Sequence, residues 1–285
     1  MILVTGAAGK TGRAVISALV ARGYSVRALV HNQAQEETFS TTKGMEVVVG
    51  DMLSKGTVEQ AVRGVEEVYH ICPNVDPNEL SIGNIMISAA RAAEVKLFVF
   101  HSVLHPQVES MPHHWLKMRV EETLFNSEIP FAIMQPAPYM QNILPELSDI
   151  ENQGIYSVPY SVEAPFSPVD LSDVAEAAAN VLSESASTGG IYELAGPEVL
   201  TPRQVASTLE RILGRDVRAE KISIDAWKKR ASSLGSYQKD TLAKMFEYYD
   251  LHGLWGNPRV LKDLIQRQPA TFEIFARRSH VSAHE

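Results

Sequence analysis

Directly after Met1 the chain reads Ile2-Leu3-Val4-Thr5, an apolar run that ends in Gly6-Ala7-Ala8-Gly9-Lys10-Thr11-Gly12. A segment with helical spacing of its apolar residues follows at once. Few local patterns restrict a fold as tightly. Glycine at these three points permits a tight turn and lets backbone come close to a diphosphate. It also lets the helix pack near the strand with its N-terminal N–H groups facing the anion. The same stretch contains Gly9-Lys10-Thr11, the ending of an ATP-binding P-loop. That loop needs a further glycine five positions before Gly9, and the residue there is Val4, inside the strand. The P-loop reading fails.

The rhythm that starts here continues. Short apolar runs fall at Ile2–Thr5, Ser25–Val30, Glu46–Val49, Glu67–Ile71, Leu97–His101 and Phe131–Gln135. Stretches with helical spacing lie between them at Lys10–Arg22, Lys55–Val65, Asn78–Val95 and Pro112–Asn126. Near-continuous apolar strands separated by helices predict a parallel sheet covered on both faces, and right-handed crossovers then leave a doubly wound α/β fold. After Pro136 the rhythm loosens. Hairpin-like sequence over Gly154–Pro168 precedes a helix from Leu171 to about Ser185, a strand at Gly190–Leu194 and a helix at Pro202–Leu213. A strand near Val217–Ile222 and mostly helical sequence from Asp225 complete the chain, with a frayed end from about His280. The 285 residues suit two domains. The expected division is a nucleotide-binding half over 1–150 and a smaller mixed α/β substrate lobe over 151–285, with 165–195 returning to the first core.

Composition closes off several functions. With 26 Lys and Arg against 34 Asp and Glu, and no basic run, a sequence-independent grip on nucleic acid is not expected. The single cysteine, Cys72, excludes a disulfide framework and a cysteine-built zinc site. No apolar run approaches the ~20 residues that span a bilayer. The first strand follows Met1 directly, which leaves no room for a leader, so the expectation is a cytoplasmic protein without a membrane partner. His101, His105, His113 and His114 match no metal-ligand spacing, and no metal is expected. No Gly-x-Ser-x-Gly elbow supports hydrolysis.

An NAD site places Asp or Glu at the end of the second strand, on the ribose 2′-hydroxyl. Here that strand ends Ala28-Leu29-Val30-His31-Asn32, with no carboxylate. A 2′-phosphate would meet no repulsion, and Lys10, Arg13 or His31 can approach it. NADP(H) is favoured, while NAD(H) stays open because His31 carries only partial charge at neutral pH.

At this point the residues resemble a known group, the NmrA-like family of atypical short-chain dehydrogenases/reductases. The segments that carry the resemblance are Val4–Gly12, Val26–Val30, Gly50-Asp51, Phe98–Ser102, Lys117–Glu121, Pro130–Pro136, Pro168–Val174, Tyr192–Gly196 and Gly253–Leu264. They span nearly the whole chain. The resemblance implies an extended Rossmann domain, with a nicotinamide cofactor across the strand ends and substrate under a C-terminal lobe. It implies cofactor contacts at Gly6, Ala8, Gly9, Lys10, Thr11, Gly12, His31, Asp51, Met52, Cys72, Pro73, Lys117 and Pro136. Some relatives are NADPH-dependent reductases of quinones and aryl ethers, and others are regulators that bind the dinucleotide without turnover. Two departures stand out. His31 occupies a place where many relatives carry Arg, and the usual Tyr-x-x-x-Lys is His113-x-x-x-Lys117, which removes the usual proton donor.

The helix after the fifth strand carries the chemistry. At about 100° per residue, His113, Leu116, Lys117, Val120 and Leu124 share one stripe, with Arg119 and Glu122 opposite. A lysine in an inward stripe needs a partner or a job, because burying a lone ammonium is costly. The resemblance supplies the job: this lysine reaches the nicotinamide ribose and lowers the barrier to proton transfer. His113, one turn earlier, can donate a proton in place of the missing phenol. Ser102, just past the fifth strand, can orient a substrate carbonyl. Lys117, His113 and Ser102 are thus the candidate catalytic set. Tyr139 and Asn142 leave the sixth strand, and Tyr156 and Phe166 offer aromatic walls, so a small hydrophobic substrate is expected. The expected function is an NAD(P)H-dependent oxidoreductase acting on a quinone, enone or related conjugated acceptor, as monomer or homodimer. A non-catalytic redox sensor acting through a protein partner, and a non-redox isomerase or cyclase, remain open.

Overall fold

The computed structural model describes residues 1–39, 44–183 and 187–284, the side chains of 280–284 excepted. Its first half alternates β1 (Ile2–Val4), α1 (Lys10–Ala21), β2 (Val26–Val30), α2 (Gln33–Glu37), β3 (Met45–Val49), α3 (Lys55–Val62) and β4 (Glu67–His70). Then come α4 (Glu79–Ala92), β5 (Leu97–His101), α5 (Pro112–Phe125) and β6 (Phe131–Pro136). The five-residue α2 has no counterpart in the sequence reading. It buries no residue, so it leaves no apolar period to read, and it exists because the Asn32 side chain caps it by accepting from Gln35 N.

A 3₁₀ segment over Met140–Glu146 leads into α6 (Leu147–Gln153), β7 (Ile155–Val158), α7 (Leu171–Ser183) and β8 (Ile191–Leu194). The chain ends with α8 (Pro202–Leu213), β9 (Arg218–Lys221), α9 (Ile224–Arg230), α10 (Ser236–His252), α11 (Arg259–Ile265) and α12 (Phe272–His284). Helix α8 shows why its limits were legible. Thr201 and Gln204 form a capping box, Pro202 opens the first turn, and Gly214 closes the helix at φ 65°. The expected end of α7 near Ser185 lies outside the described residues. Helix α12 continues to His284, past the point where fraying was expected.

The large sheet has the order β3-β2-β1-β4-β5-β6-β8, with β3 through β6 paired in parallel. The order reverses between β1 and β4. The fold is the doubly wound α/β architecture that the sequence predicted. One local expectation is overturned: Gly154–Pro168 is not a hairpin. Strand β7 pairs in parallel with β9, sixty-odd positions later, in register Ile155 to Arg218 through Val158 to Lys221. A parallel partner requires a long crossover, which local sequence cannot announce.

The chain divides into two compact units. The first comprises Met1–Gln107, His114–Gln135 and Val174–Tyr192, and the second Val108–His113, Pro136–Asp173 and Glu193–Glu285. The division falls at Gln135 instead of 150. Met140, Ile143 and Ile150 explain the difference, because they pack with Val205, Leu209, Phe272 and Phe275 in the second unit's core. The first unit's core joins Leu3, Val68, Phe98 and Ile133 of the strands to Met86, Val120 and Leu124 of α4 and α5. In the second unit, Asp170 and Asp173 are buried anchors. Asp170 accepts from Gln141 Nε2 (2.8 Å), Ser172 N (2.9 Å) and Arg278 (2.6 Å), and Asp173 from Arg267 (2.6 Å) and Ala270 N (2.7 Å).

Candidate functional site

Strand β1 delivers Gly6 to the edge of the sheet where the strand order reverses, the point at which doubly wound sheets take their ligands. Thr5 fastens this end: its hydroxyl donates to the Ile71 carbonyl (3.0 Å) and accepts from Ile71 N (2.9 Å). Gly6 has φ +57°, and a Cβ there would lie 2.9 Å from the same carbonyl oxygen. A Cβ on Gly12 would sit 2.4 Å from the Gly6 oxygen and 2.7 Å from Ala7 Cα, so the first turn of α1 rests directly on the loop. Gly9 caps α1 without a side chain, and no acidic residue stands in the first turn. An exposed helix N-terminus of this kind favours an anion. Gly9 and Lys10 are exposed, Ala8 is half-buried, and Thr11 and Gly12 are buried beneath them.

Beyond β2, the exposed Arg13 bridges the loop and the following segment. Its Nε donates to the Ala8 carbonyl (2.9 Å), its Nη2 to Thr38 Oγ1 (3.0 Å), and the guanidinium lies 5.1 Å from the centre of the Phe39 ring. His31 is exposed, and its backbone N–H donates to Gln35 Oε1 (2.8 Å). Arg13 is thus a cation held in place by contacts to the glycine loop and to the segment after α2. Asp51 is exposed and accepts from Leu53 N (2.8 Å), while Met52 packs against the first core.

The centre of the first unit holds a buried ion pair. Lys117 Nζ donates to Glu79 Oε1 (3.0 Å) and to the carbonyl of His101, the last residue of β5 (3.2 Å). The two side chains are 7% and 0% exposed. The packing of α4 on α5 produces this meeting. Gly83 faces Val120 so closely that a Cβ on it would stand 2.8 Å from the valine methyls, and Glu79 and Lys117 lie one turn earlier on their helices. Lys117 also sits 5.2 Å from the Phe100 ring centre. Cys72 is buried beside Glu79, and burial followed by the Glu79 charge pushes its thiol pKa far up. Pro73, next in the chain, is exposed.

A second polar cluster surrounds Glu121, one turn after Lys117. The Ser102 hydroxyl donates to Glu121 Oε1, and Gln135 Nε2 donates to both carboxylate oxygens (3.0 Å each). All three residues are buried, and burial raises the Glu121 pKa against those hydrogen bonds. Ser102 thus spends its proton on a carboxylate inside the protein, not on an open pocket. Neither Glu79 nor Glu121 was singled out from the sequence, yet a signal existed. Glu79 shares the stripe of Ile82, Gly83, Met86, Ile87 and Ala90, and Glu121 lies four residues after Lys117.

His113 is buried in the first turn of α5, while Leu116 is only half-buried. Pro136 is buried at the end of β6. In the second unit Tyr139 is half-buried and Asn142 exposed. Tyr156 and Phe166 are brought together through Tyr160. The Tyr156 and Tyr160 hydroxyls interact, and the Tyr160 ring lies 5.0 Å from Phe166. Tyr249 and Phe246 extend this aromatic stack, and Tyr156 also packs on the second core. Among the described residues no group of three or more His, Cys, Asp or Glu is placed to hold a metal, and no helix is long and apolar enough to cross a membrane.

Comparison with known proteins matches this architecture. A (4-alkanoyl-5-oxo-2,5-dihydrofuran-3-yl)methyl phosphate reductase of Streptomyces griseus is 32% identical over 229 residues, 79% of this chain and 78% of that one. An NAD(P)H azoreductase of Xenophilus azovorans is 26% identical over 287 residues, 99% of each chain. The crystal structure of an Escherichia coli NADPH-dependent quinone oxidoreductase complexed with NADPH superposes with a TM-score of 0.87 at 26% identity, covering 99% of this chain and 100% of that one. The model of the NmrA-like family matches residues 1–276. With its glycine loop, its β1/β4 switch point and residues 1–276 matched, the chain belongs to the NmrA-like family.

Proposed function

We propose that this protein is an NAD(P)H-dependent reductase of small hydrophobic acceptors such as quinones, enones or related conjugated compounds. The observation that carries the reading is Lys117, a buried ammonium held at the carboxyl end of β5 by Glu79 and the His101 carbonyl. A charge is seldom kept there without a use, because an apolar pair of similar size costs less to bury. The relatives named above are reductases of a furanone, azo compounds and quinones, which supports the acceptor class.

The residues fit a nicotinamide dinucleotide. The uncapped start of α1 and the glycine loop suit its diphosphate, and Arg13 suits a phosphate on the adenosine ribose. No carboxylate ends β2 to repel that phosphate, so NADP(H) is preferred and NAD(H) is accepted less well. When bound, the dinucleotide supplies a hydride. Lys117 orients the nicotinamide ribose, and His113 or water delivers the proton that completes the two-electron reduction.

The direct test is titration with NADPH and NADH, followed by turnover with quinone and enone panels. Lys117→Met, which keeps the packing of the stem, is expected to slow hydride transfer about 100-fold or more. Unchanged single-turnover hydride transfer in that variant would remove Lys117 from the mechanism. Arg13→Ala is expected to weaken NADPH about tenfold, the loss of a charge-assisted hydrogen bond, and to leave NADH nearly unaffected. Equal weakening of the two dinucleotides would assign the 2′-phosphate to another residue.

A further inference from the structure

We propose that Glu79 is a second ligand-binding residue of this site: its open carboxylate oxygen and the remaining N–H of Lys117 form an acceptor–donor couple for the hydroxyls of a ribose. This rests on the reading of the site as a dinucleotide pocket and names the group that reads the nicotinamide-side sugar.

Glu79 is fully buried, with Oε1 bound to Lys117 and Oε2 without a hydrogen-bond partner among the described residues. An ammonium has three N–H groups, and Lys117 places two of them, on Glu79 Oε1 and the His101 carbonyl. The couple therefore has one acceptor and one donor left over at adjacent atoms. Nearly all buried acceptors in folded proteins are satisfied, so an open carboxylate oxygen in the interior calls for a donor from outside the chain. A hydroxyl both donates and accepts, and a vicinal diol offers two such groups side by side. A carboxylate–ammonium pair with one free valence on each partner matches a diol better than it matches an amide or a phosphate.

The position agrees. Glu79 opens α4 just after β4, Lys117 touches the end of β5, and Gly6 ends β1 beside β4, so all three stand at the carboxyl edge of neighbouring strands. The Cys72 thiol lies within hydrogen-bond reach of the Glu79 carboxylate, but a thiol is a weak donor and leaves most of that acceptor's capacity for a hydroxyl. The loop that delivers Glu79 is also held in a costly shape. Val75 is buried with φ +52°, a left-handed conformation that β-branched residues rarely adopt and that tends to cluster at ligand sites.

The experiment compares two ligands on the full chain: NADPH, and 2′,5′-ADP, which lacks the nicotinamide ribose. Glu79→Gln, nearly isosteric, is expected to weaken NADPH about tenfold or more while 2′,5′-ADP binds within about twofold of the parent, the loss of one hydrogen bond to a charged group. Should Glu79→Gln not fold, the charge-free double variant Glu79→Leu with Lys117→Met is compared with Lys117→Met alone, and a further loss of NADPH affinity without a change for 2′,5′-ADP is expected, whereas no further loss would overturn the proposal. Equal weakening of both ligands would make Glu79 a structural residue and overturn the proposal, as would an unchanged NADPH affinity. If the parent protein itself binds neither NADPH nor NADH, the dinucleotide reading falls first, and that result is distinct from a failure at Glu79.

Discussion

Gly12→Ala is expected to abolish useful dinucleotide binding. The added methyl would meet the Gly6 oxygen at 2.4 Å, Ala7 Cα at 2.7 Å and the Ala7 oxygen at 2.8 Å. These are backbone atoms, so no side-chain rotation relieves the clash. The first turn of α1 must lift from the loop, and with it the N–H groups that would face a diphosphate. Overpacking of this kind costs about 1–3 kcal/mol in stability. A similar loss in the cradle, converted at 1.4 kcal/mol per decade, lowers NADPH affinity by up to about 100-fold. Gly56 provides the contrast. It lies in α3, and nothing stands within 4 Å of a Cβ built on it. Alanine there is expected to stabilise the protein by up to about 1 kcal/mol and to leave binding alone. Fluorescence titration and thermal unfolding of the two variants check both statements. Near-parental NADPH affinity in Gly12→Ala would mean that the loop does not hold the diphosphate.

Acid is expected to unfold this protein steeply. His70 and His101 are buried with pKa values lowered to about 3, and His114 to about 4. Burial is the main cause in each, and the Lys117 charge adds to it. The hydrogen bonds explain how neutral rings are kept. His70 Nδ1 lies 2.9 Å from Thr5 Oγ1, His101 Nδ1 2.7 Å from the Tyr69 hydroxyl, and His114 Nδ1 3.3 Å from the His105 carbonyl. Above pH ~6.5 these histidines are neutral in both folded and unfolded chains and add no pH dependence. Below that value the unfolded chain takes up protons that the folded chain refuses.

Stability then falls by up to about 1.4 kcal/mol per pH unit for each histidine, until the folded pKa values are reached. Three together can remove about 4 kcal/mol per pH unit, a large share of a typical 5–15 kcal/mol. Glu121 works in the opposite direction, since its raised pKa favours proton uptake by the folded state, and it trims the slope. Asp170 acts in a lower window. Burial raises its pKa, but Ser172 N, Gln141 and Arg278 outweigh that and hold it below the usual range, so its contribution is lost only as pH falls through that depressed value. Urea unfolding measured from pH 7.5 to 4.5 reports the slope. His114→Gln should reduce it by about one proton. A flat profile between pH 6.5 and 5 would show that these rings are not held neutral.

Much of the scaffold was legible because its signals are local. An apolar strand running into Gly6, Gly9 and Gly12, six strand-like runs with helices between them, and the capping box at Thr201 each need only a few neighbouring residues to be read. The inward face of α5 was readable from its period, and Lys117 does lie buried upon it. Other parts were not local. That Gly154–Pro168 finds its strand partner in β9 depends on a crossover through distant sequence. Ser102 stood at a strand end in the sequence, but where its hydroxyl points was decided by Glu121 arriving from α5.

The sequence by itself determined the doubly wound order of elements, the glycine-rich turn between β1 and α1 and the presence of a lysine on an inward stripe, because periodicity and glycine placement act over a few residues. Only the tertiary structure decided what that lysine touches. The close contact of Gly83 with Val120 sets the distance between α4 and α5, and that distance turns two buried charges, 38 positions apart, into a pair with one oxygen left open.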